Sequence, residues 1–280
     1  MLIEKPLATD ACQSATVLDA IESGGSDVVV GYTQRFRRRF LAVKERVDSG
    51  QIGDVTAAVT RAFMNRMAPT GEVRLTKDRR YLTPMVVSGT HSLDMCMWIM
   101  GDGAKPISIY ARSTDKLLNS LGTKDATFGV FTMDSGAIWS MNICWALPKE
   151  WSGAVYGLEI GVVGTKGVID IEDTHRAHVL ATYENLPGGY VPEGFEPPVD
   201  RHVDFLTSYP PGDIYKGQLR GPMREETNSW LARNKRGLDK PHATAAEGHA
   251  NLIHTMAMDR SAKFGKEIAL PIDPEDFYKD

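Results

Sequence analysis

No stretch of this sequence approaches the roughly 20 consecutive apolar residues that a membrane-spanning helix requires. The N-terminus has no positively charged region leading into an apolar core, so it does not read as a secretory signal. Cysteine is scarce: Cys12, Cys96 and Cys144 are the only three and lie far apart. An odd count without close spacing argues against a disulfide framework and against a zinc site. Reduced, buried thiols in a cytosolic protein are the plain reading. A basic excess is missing too, since 32 Lys and Arg stand against 36 Asp and Glu for a net charge of −4. Nucleic-acid binders carry a basic stripe or a high pI, so no nucleic-acid partner is expected. Repeats and low-complexity segments are absent. What remains is ordinary globular composition, 42% hydrophobic and 24% charged over 280 residues, enough for one large domain or two small ones. The expectation is a soluble cytoplasmic protein with no membrane association and no metal site.

The chain opens on a Glu-Lys-Pro turn in "IEKPLA" (3–8). Asp10, with Gln13 three residues on, starts a helix that carries Ala15, Leu18 and Ile21 on one face and stops at Gly24 and Gly25. "DVVVGYT" (27–33) reads as a buried strand, 38–50 as a helix ending at Gly50, and 54–63 as a strand. Residues 65–85 read as a long loop, and 88–102 as a helix ended by glycine. From about 106 a run of strand-like segments follows, through "RAHVLATYE" (176–184). "DSG" (134–136) and "GTKG" (164–167) form hairpin turns between them. Such a run predicts antiparallel pairing and not a βαβ series. In "AIWSMNICW", Trp139, Met141, Ile143 and Trp145 share one face, and Ile138, Ser140, Asn142 and Cys144 the other. The first face must be covered by helices or by another subunit. The second suits a pocket or a subunit interface, although burial alone explains both. A Pro/Gly-rich loop (184–200) precedes a helical tail around 202–208, 222–236 and 244–265, and "KEIALPI" closes as a short strand.

Few residues stand out for chemistry. Lys5 is followed by Pro6, which lacks a backbone donor and restricts Lys5 to extended geometry. It reads either as an oriented functional lysine or as a surface lysine near a terminus. His91 sits where the long loop gives way to a helix, with Asp94 three residues on and on the same face. A carboxylate so placed can orient an imidazole and raise its pKa; a local ion pair at a helix start explains the pattern equally. In "RFRRRF", Arg35 is the member nearest the preceding strand and the best placed to face a site, while the others read as the solvated start of a helix. His175 with His178, and His249 with His254, lack the spacing for a shared metal. "GVVGTKG" (161–167) lies between two strands with no helix after it and reads as a hairpin, not a phosphate loop.

Taken in order, "IEKPLA", "VVVGYTQRF", "DSGQIGDV", "GTHSLDMCMWIMG", "VVGTKGVIDI" and "HATAAEGHANLIHTMAMDRSAKFGKEIALP" resemble the glucose–fructose oxidoreductase / inositol dehydrogenase / MocA (Gfo/Idh/MocA) family of NAD(P)-dependent oxidoreductases. The resemblance runs from residue 2 to about residue 272. It implies an α+β fold: an open, mainly antiparallel sheet with helices on one face, preceded by part of a Rossmann domain. By position, Lys5 and His91 match the family's catalytic lysine and histidine, and Lys5 with Pro6 the nicotinamide end of an NAD or NADP site. Arg35 matches a position that often faces substrate, and Asp94, on the face of His91, is expected to bind substrate as well. A sugar or polyol substrate is implied, and a dimer or tetramer built through the sheet. Where the family often has an aspartate four residues before the histidine, this chain has Val87. No Gly-x-Gly-x-x-Gly turn is present. The reading is therefore a remnant of the dinucleotide-binding domain at 1–32 and a substrate and oligomerisation domain at 33–280. About three βαβ units, on the order of 90 residues, are expected upstream in a longer reading frame. The alternative is a non-catalytic binding or oligomerisation module from the same family.

Overall fold

The computed structural model describes residues 1–76, 81–101, 105–152, 157–173, 178–186, 200, 202–205, 212–236 and 241–279. Residues 2–4 form a strand ahead of the Glu-Lys-Pro turn. β1 (Leu2–Glu4) runs parallel to β2 (Val29–Gly31), and α1 (Ala11–Ser23) connects them. The Asp10 carboxylate accepts the Gln13 N–H at 2.9 Å, which fixes the start of α1 as its sequence suggested. A 3-10 turn (Thr33–Phe36) leads from β2 into α2 (Arg38–Asp48) and β3 (Val55–Asn65).

The expected loop at 65–85 instead contains α3 (Met67–Leu75). Pro69 and Gly71 hid it. Pro69 falls in the first turn, where a missing N–H is harmless, and the Asn65 side-chain Oδ1 accepts the Met67 N–H at 3.0 Å to start it. A π-helical turn (Met85–Gly89) then runs into α4 (Thr90–Met100). Gly101 ends α4 at φ +79, a left-handed conformation that favours glycine.

The strands β4 (Pro106–Thr114), β5 (Ala126–Met133), β6 (Ile138–Leu147), β7 (Gly157–Gly164) and β8 (Val168–Asp173) follow. β9 (Val179–Ala181) pairs with β10 (Val203–Phe205), and β11 (Asp213–Tyr215) with β12 (Gln218–Arg220). The helix expected around 202–208 is thus a strand where it is described; its alternating Val203 and Phe205 suit an edge pairing with 179–181. His175, the start of the 176–184 strand and most of the 184–200 loop lie outside the described residues. α5 (Pro222–Arg236), β13 (Ala243–Thr244), α6 (Ala245–Phe264) and β14 (Ile268–Ala269) complete the chain.

The main sheet has the order β14-β4-β5-β6-β3-β7-β8. Every neighbour is antiparallel except β3 and β6, which run parallel at its centre with Ala58 opposite Trp139 and Thr60 opposite Met141. The sheet is mainly antiparallel, as expected, and the one parallel pair arises because β3 arrives from the helical half and inserts between β6 and β7. Trp139, Met141, Ile143 and Trp145 are fully buried with Phe131, Leu158, Ile160 and Val162 beneath α4 and α6. Both indoles keep a partner: Trp139 donates to Thr60 Oγ1 at 3.0 Å and Trp145 to Ser88 Oγ at 2.9 Å. The second bond ties the sheet to the π-turn that precedes His91. Helices therefore cover the large apolar face. The opposite face is open, with Val59, Phe128, Val130, Ile138 and Val163 exposed.

β13 pairs antiparallel with β2, so β1, β2 and β13 make a second small sheet. α6 lies against it and against α1. A Cβ on Gly248 would sit 2.8 Å from Val30 Cγ2, so this approach requires glycine. Among the described residues no helix is long and apolar enough to cross a membrane.

Candidate active site

The carboxyl ends of β1 and β2 lie side by side and lead into Lys5 and the 33–36 turn. In open α/β arrangements ligands sit beyond the carboxyl ends of parallel strands. The Lys5–Pro6 peptide is cis, and Leu7 is buried with Val30, Tyr32 and Ala243, which roots the turn. Lys5 Nζ donates to the Val87 carbonyl at 3.0 Å. Val87 stands four residues before His91, within the π-turn. Its backbone oxygen, not its side chain, receives the ammonium. The carboxylate expected at this position in the family is absent, and the widened helical turn supplies a carbonyl in its place.

His91 sits at the head of α4, half-buried, with Tyr32 edge-on to its ring at 6.5 Å between centroids. Its pKa falls well below the usual imidazole value, first through burial and then through the charges of Lys5 and Arg37. This reverses the direction expected from the His91–Asp94 spacing. Asp94 does not serve the ring. Its two oxygens accept from Arg35, at 2.6 Å from Nη2 and 2.9 Å from Nε, both side chains being almost wholly buried. Burial pushes the Asp94 carboxyl up while the guanidinium pulls it back. Arg35 Nη2 also reaches Glu247 at 3.1 Å, and its guanidinium lies over the Trp98 ring. The structure thus brings Lys5 and His91 together, and turns Arg35 and Asp94 towards each other.

Glu247 plays two parts. It closes a capping box with Thr244 at the start of α6 and it pairs with Arg35. "TAAE" at 244–247 carries that capping signature in the sequence. A second network runs behind the histidine. Tyr32 OH meets Thr90 Oγ1 at 3.1 Å, Thr90 Oγ1 donates to Asn251 Oδ1 at 2.7 Å, and Asn251 Nδ2 donates to the Thr90 carbonyl at 3.0 Å. It fixes the first turn of α4 against β2 and α6. Ahead of the π-turn, Thr83 donates to Asp259 of α6 and accepts the Val86 N–H. Glu226 of α5 accepts from Thr33 at 2.8 Å. None of these long-range partners has a local sequence signal.

The Glu-Lys-Pro turn at the end of a parallel strand thus lies near a histidine at the head of a helix, backed by the sheet. Residues 40–170 match the family model described as the GFO/IDH/MocA C-terminal domain, which bears out the resemblance read from the sequence. It is 25% identical over 285 aligned positions to inositol 2-dehydrogenase of Salmonella typhimurium, covering 99% of this chain and 72% of that protein. Two solved structures share its fold. Scyllo-inositol dehydrogenase from Lactobacillus casei, with bound NAD(H) and scyllo-inositol, matches 96% of this chain and 73% of its own at TM-score 0.70 and 14% identity. Myo-inositol 2-dehydrogenase from Lactobacillus plantarum matches 96% of this chain and 73% of its own at TM-score 0.69 and 17% identity.

Proposed function

We propose that this site oxidises a secondary hydroxyl of a polyol or sugar, with NAD or NADP as hydride acceptor. The observation that carries the reading is the convergence of Lys5 and His91 at the carboxyl ends of β1 and β2. The names of the relatives supply the substrate class. His91, uncharged at neutral pH, accepts the hydroxyl proton, and the Lys5 ammonium hydrogen-bonds the same oxygen as charge develops on it. The C–H bond breaks with its electron pair, leaving a ketone. A nicotinamide held at Lys5 and Pro6 would supply the acceptor for that hydride. Arg35 and Asp94 serve at one remove, locking α4 to the 33–36 turn.

Lys5 and Pro6 are the residues that would hold the nicotinamide end of the cofactor. The residues present do not suit its pyrophosphate. The passage from β1 to α1 has no glycine, and Asp10 places a carboxylate on the N-terminal N–H groups that would otherwise receive an anion. Reduction of NAD⁺ or NADP⁺ with myo-inositol, followed by nicotinamide absorbance beside calorimetric cofactor binding, tests the reading. Turnover that disappears in His91→Asn supports it. Absence of both turnover and cofactor binding overturns it, and leaves the non-catalytic module.

The open sheet face carries the second part of the reading, a homodimer or tetramer. Val59, Phe128, Val130, Ile138 and Val163 form an apolar patch around the Arg61–Glu159 ion pair, and exposed patches of this kind mark association surfaces. Sedimentation velocity is expected to give a dimer or tetramer, and a monomer for Val130→Asp. A monomeric native chain would contradict it.

A further inference from the structure

Glu226 projects from α5 onto the 33–36 turn, at the same carboxyl end of β2 that leads to the proposed site. It is 3% exposed. One oxygen, Oε2, accepts from Thr33; the other, Oε1, is buried and has no hydrogen-bond partner among the described residues. Gln34, next to Thr33 on the turn, has its side-chain carbonyl in the same state. An orphaned buried carboxyl oxygen is costly, and two beside one turn are not a folding requirement. The charged groups that act on it are Glu4 from β1 and Asp94 from α4, the latter paired with Arg35.

We propose that Glu226 is a substrate-binding residue of the site, its Oε1 hydrogen-bonding a hydroxyl of the polyol, with the Gln34 side-chain carbonyl available to a second. This rests on the reading of the site as a polyol oxidoreductase and adds a specificity element to it. A hydroxyl-rich neutral ligand supplies both donors and acceptors, which suits two unmet carbonyl-type oxygens better than an anion does. The surroundings also decide the protonation state. Burial, with Glu4 and Asp94 nearby, pushes the Glu226 carboxyl up to about 7, against the opposing pull of the Thr33 hydroxyl. In slightly acid solution Glu226 therefore holds its proton and donates; above about 7 it loses it. Ligand affinity should weaken as pH rises through that value.

Calorimetric titration with myo-inositol and with scyllo-inositol, with and without NAD⁺, tests this. Glu226→Ala is expected to weaken polyol binding about tenfold, the scale of one lost hydrogen bond in a buried site. Glu226→Gln keeps shape and a donor, so it should retain most of the affinity and lose the fall in affinity above neutral pH. KM for the polyol should rise in Glu226→Ala with KM for NAD⁺ unchanged. Circular dichroism melts identify variants that fail to fold, for which Glu226→Gln alone decides. Three outcomes overturn the proposal: native affinity in Glu226→Ala, an unchanged pH dependence in Glu226→Gln, or no polyol binding by the native chain. The last also removes the reading of the site. Binding that responds to His91→Asn but not to Glu226 changes removes only this proposal.

Discussion

Asparagine at His91 is expected to lower kcat for polyol oxidation by about 10²- to 10⁴-fold, the usual contribution of a positioned general base. The fold should persist, because Thr90 and Asn251 anchor the first turn of α4. Asparagine keeps a polar group of similar reach, so the loss reports the missing base and not a cavity. The pH profile separates this from a structural role. Burial and the charges of Lys5 and Arg37 hold the imidazole well below its ordinary value. The charged, inactive form of His91 therefore appears only in clearly acid solution. The acid limb of kcat/KM should lie below the unperturbed histidine value of about 6.5. Lys5→Met removes one of the two cations that depress it. Activity should fall in that variant too, while its acid limb moves up towards the ordinary value. A limb that stays in place on loss of Lys5 would show that the two side chains do not share a site.

The parts of this picture that the sequence disclosed are those written in short spacings. Asp10 and Gln13, the glycine stops, the hairpin turns and the alternation of Trp139 to Trp145 each depend on neighbours a few residues away, and each appears as read. Lys5 and His91 stood out for the same reason: a proline fixes one, and a loop-to-helix boundary places the other. What stayed hidden depends on distance along the chain. Nothing near Val55–Asn65 says that it will run parallel to Ile138–Leu147. Nothing in "REETNSW" marks Glu226 as the partner of Thr33. Asp94 was read against His91 because they are close in sequence. Arg35, farther away along the chain, wins it because a fully buried carboxylate needs a cation and two N–H donors more than a half-buried imidazole needs an acceptor. Val87 offers no side-chain acceptor, and its backbone carbonyl, invisible to residue identity, receives the Lys5 ammonium.

That buried pair gives the largest expected effect on stability. Asp94→Ala leaves the Arg35 guanidinium nearly sealed from water, with only the half-exposed Glu247 to answer it. Breaking one side of such a pair costs about 3–5 kcal/mol, which should lower the melting temperature by roughly 2–4 °C per kcal/mol in a chain of this size. Replacing both residues together, as Arg35→Met with Asp94→Leu, should recover much of the loss, because no unpaired charge is then buried. Activity need not recover with it. Arg35 joins the turn after β2, the α4 helix that carries His91, and the capped start of α6, and it packs on Trp98 as well. Apolar side chains can refill that volume without fixing three elements in one register. The double variant should therefore melt close to the native chain and still turn over more slowly, since small displacements of catalytic groups cost large factors in rate. If melting temperature and kcat recover together, the pair is only filling, and the alignment of His91 with Lys5 must be held by the Tyr32–Thr90–Asn251 network alone.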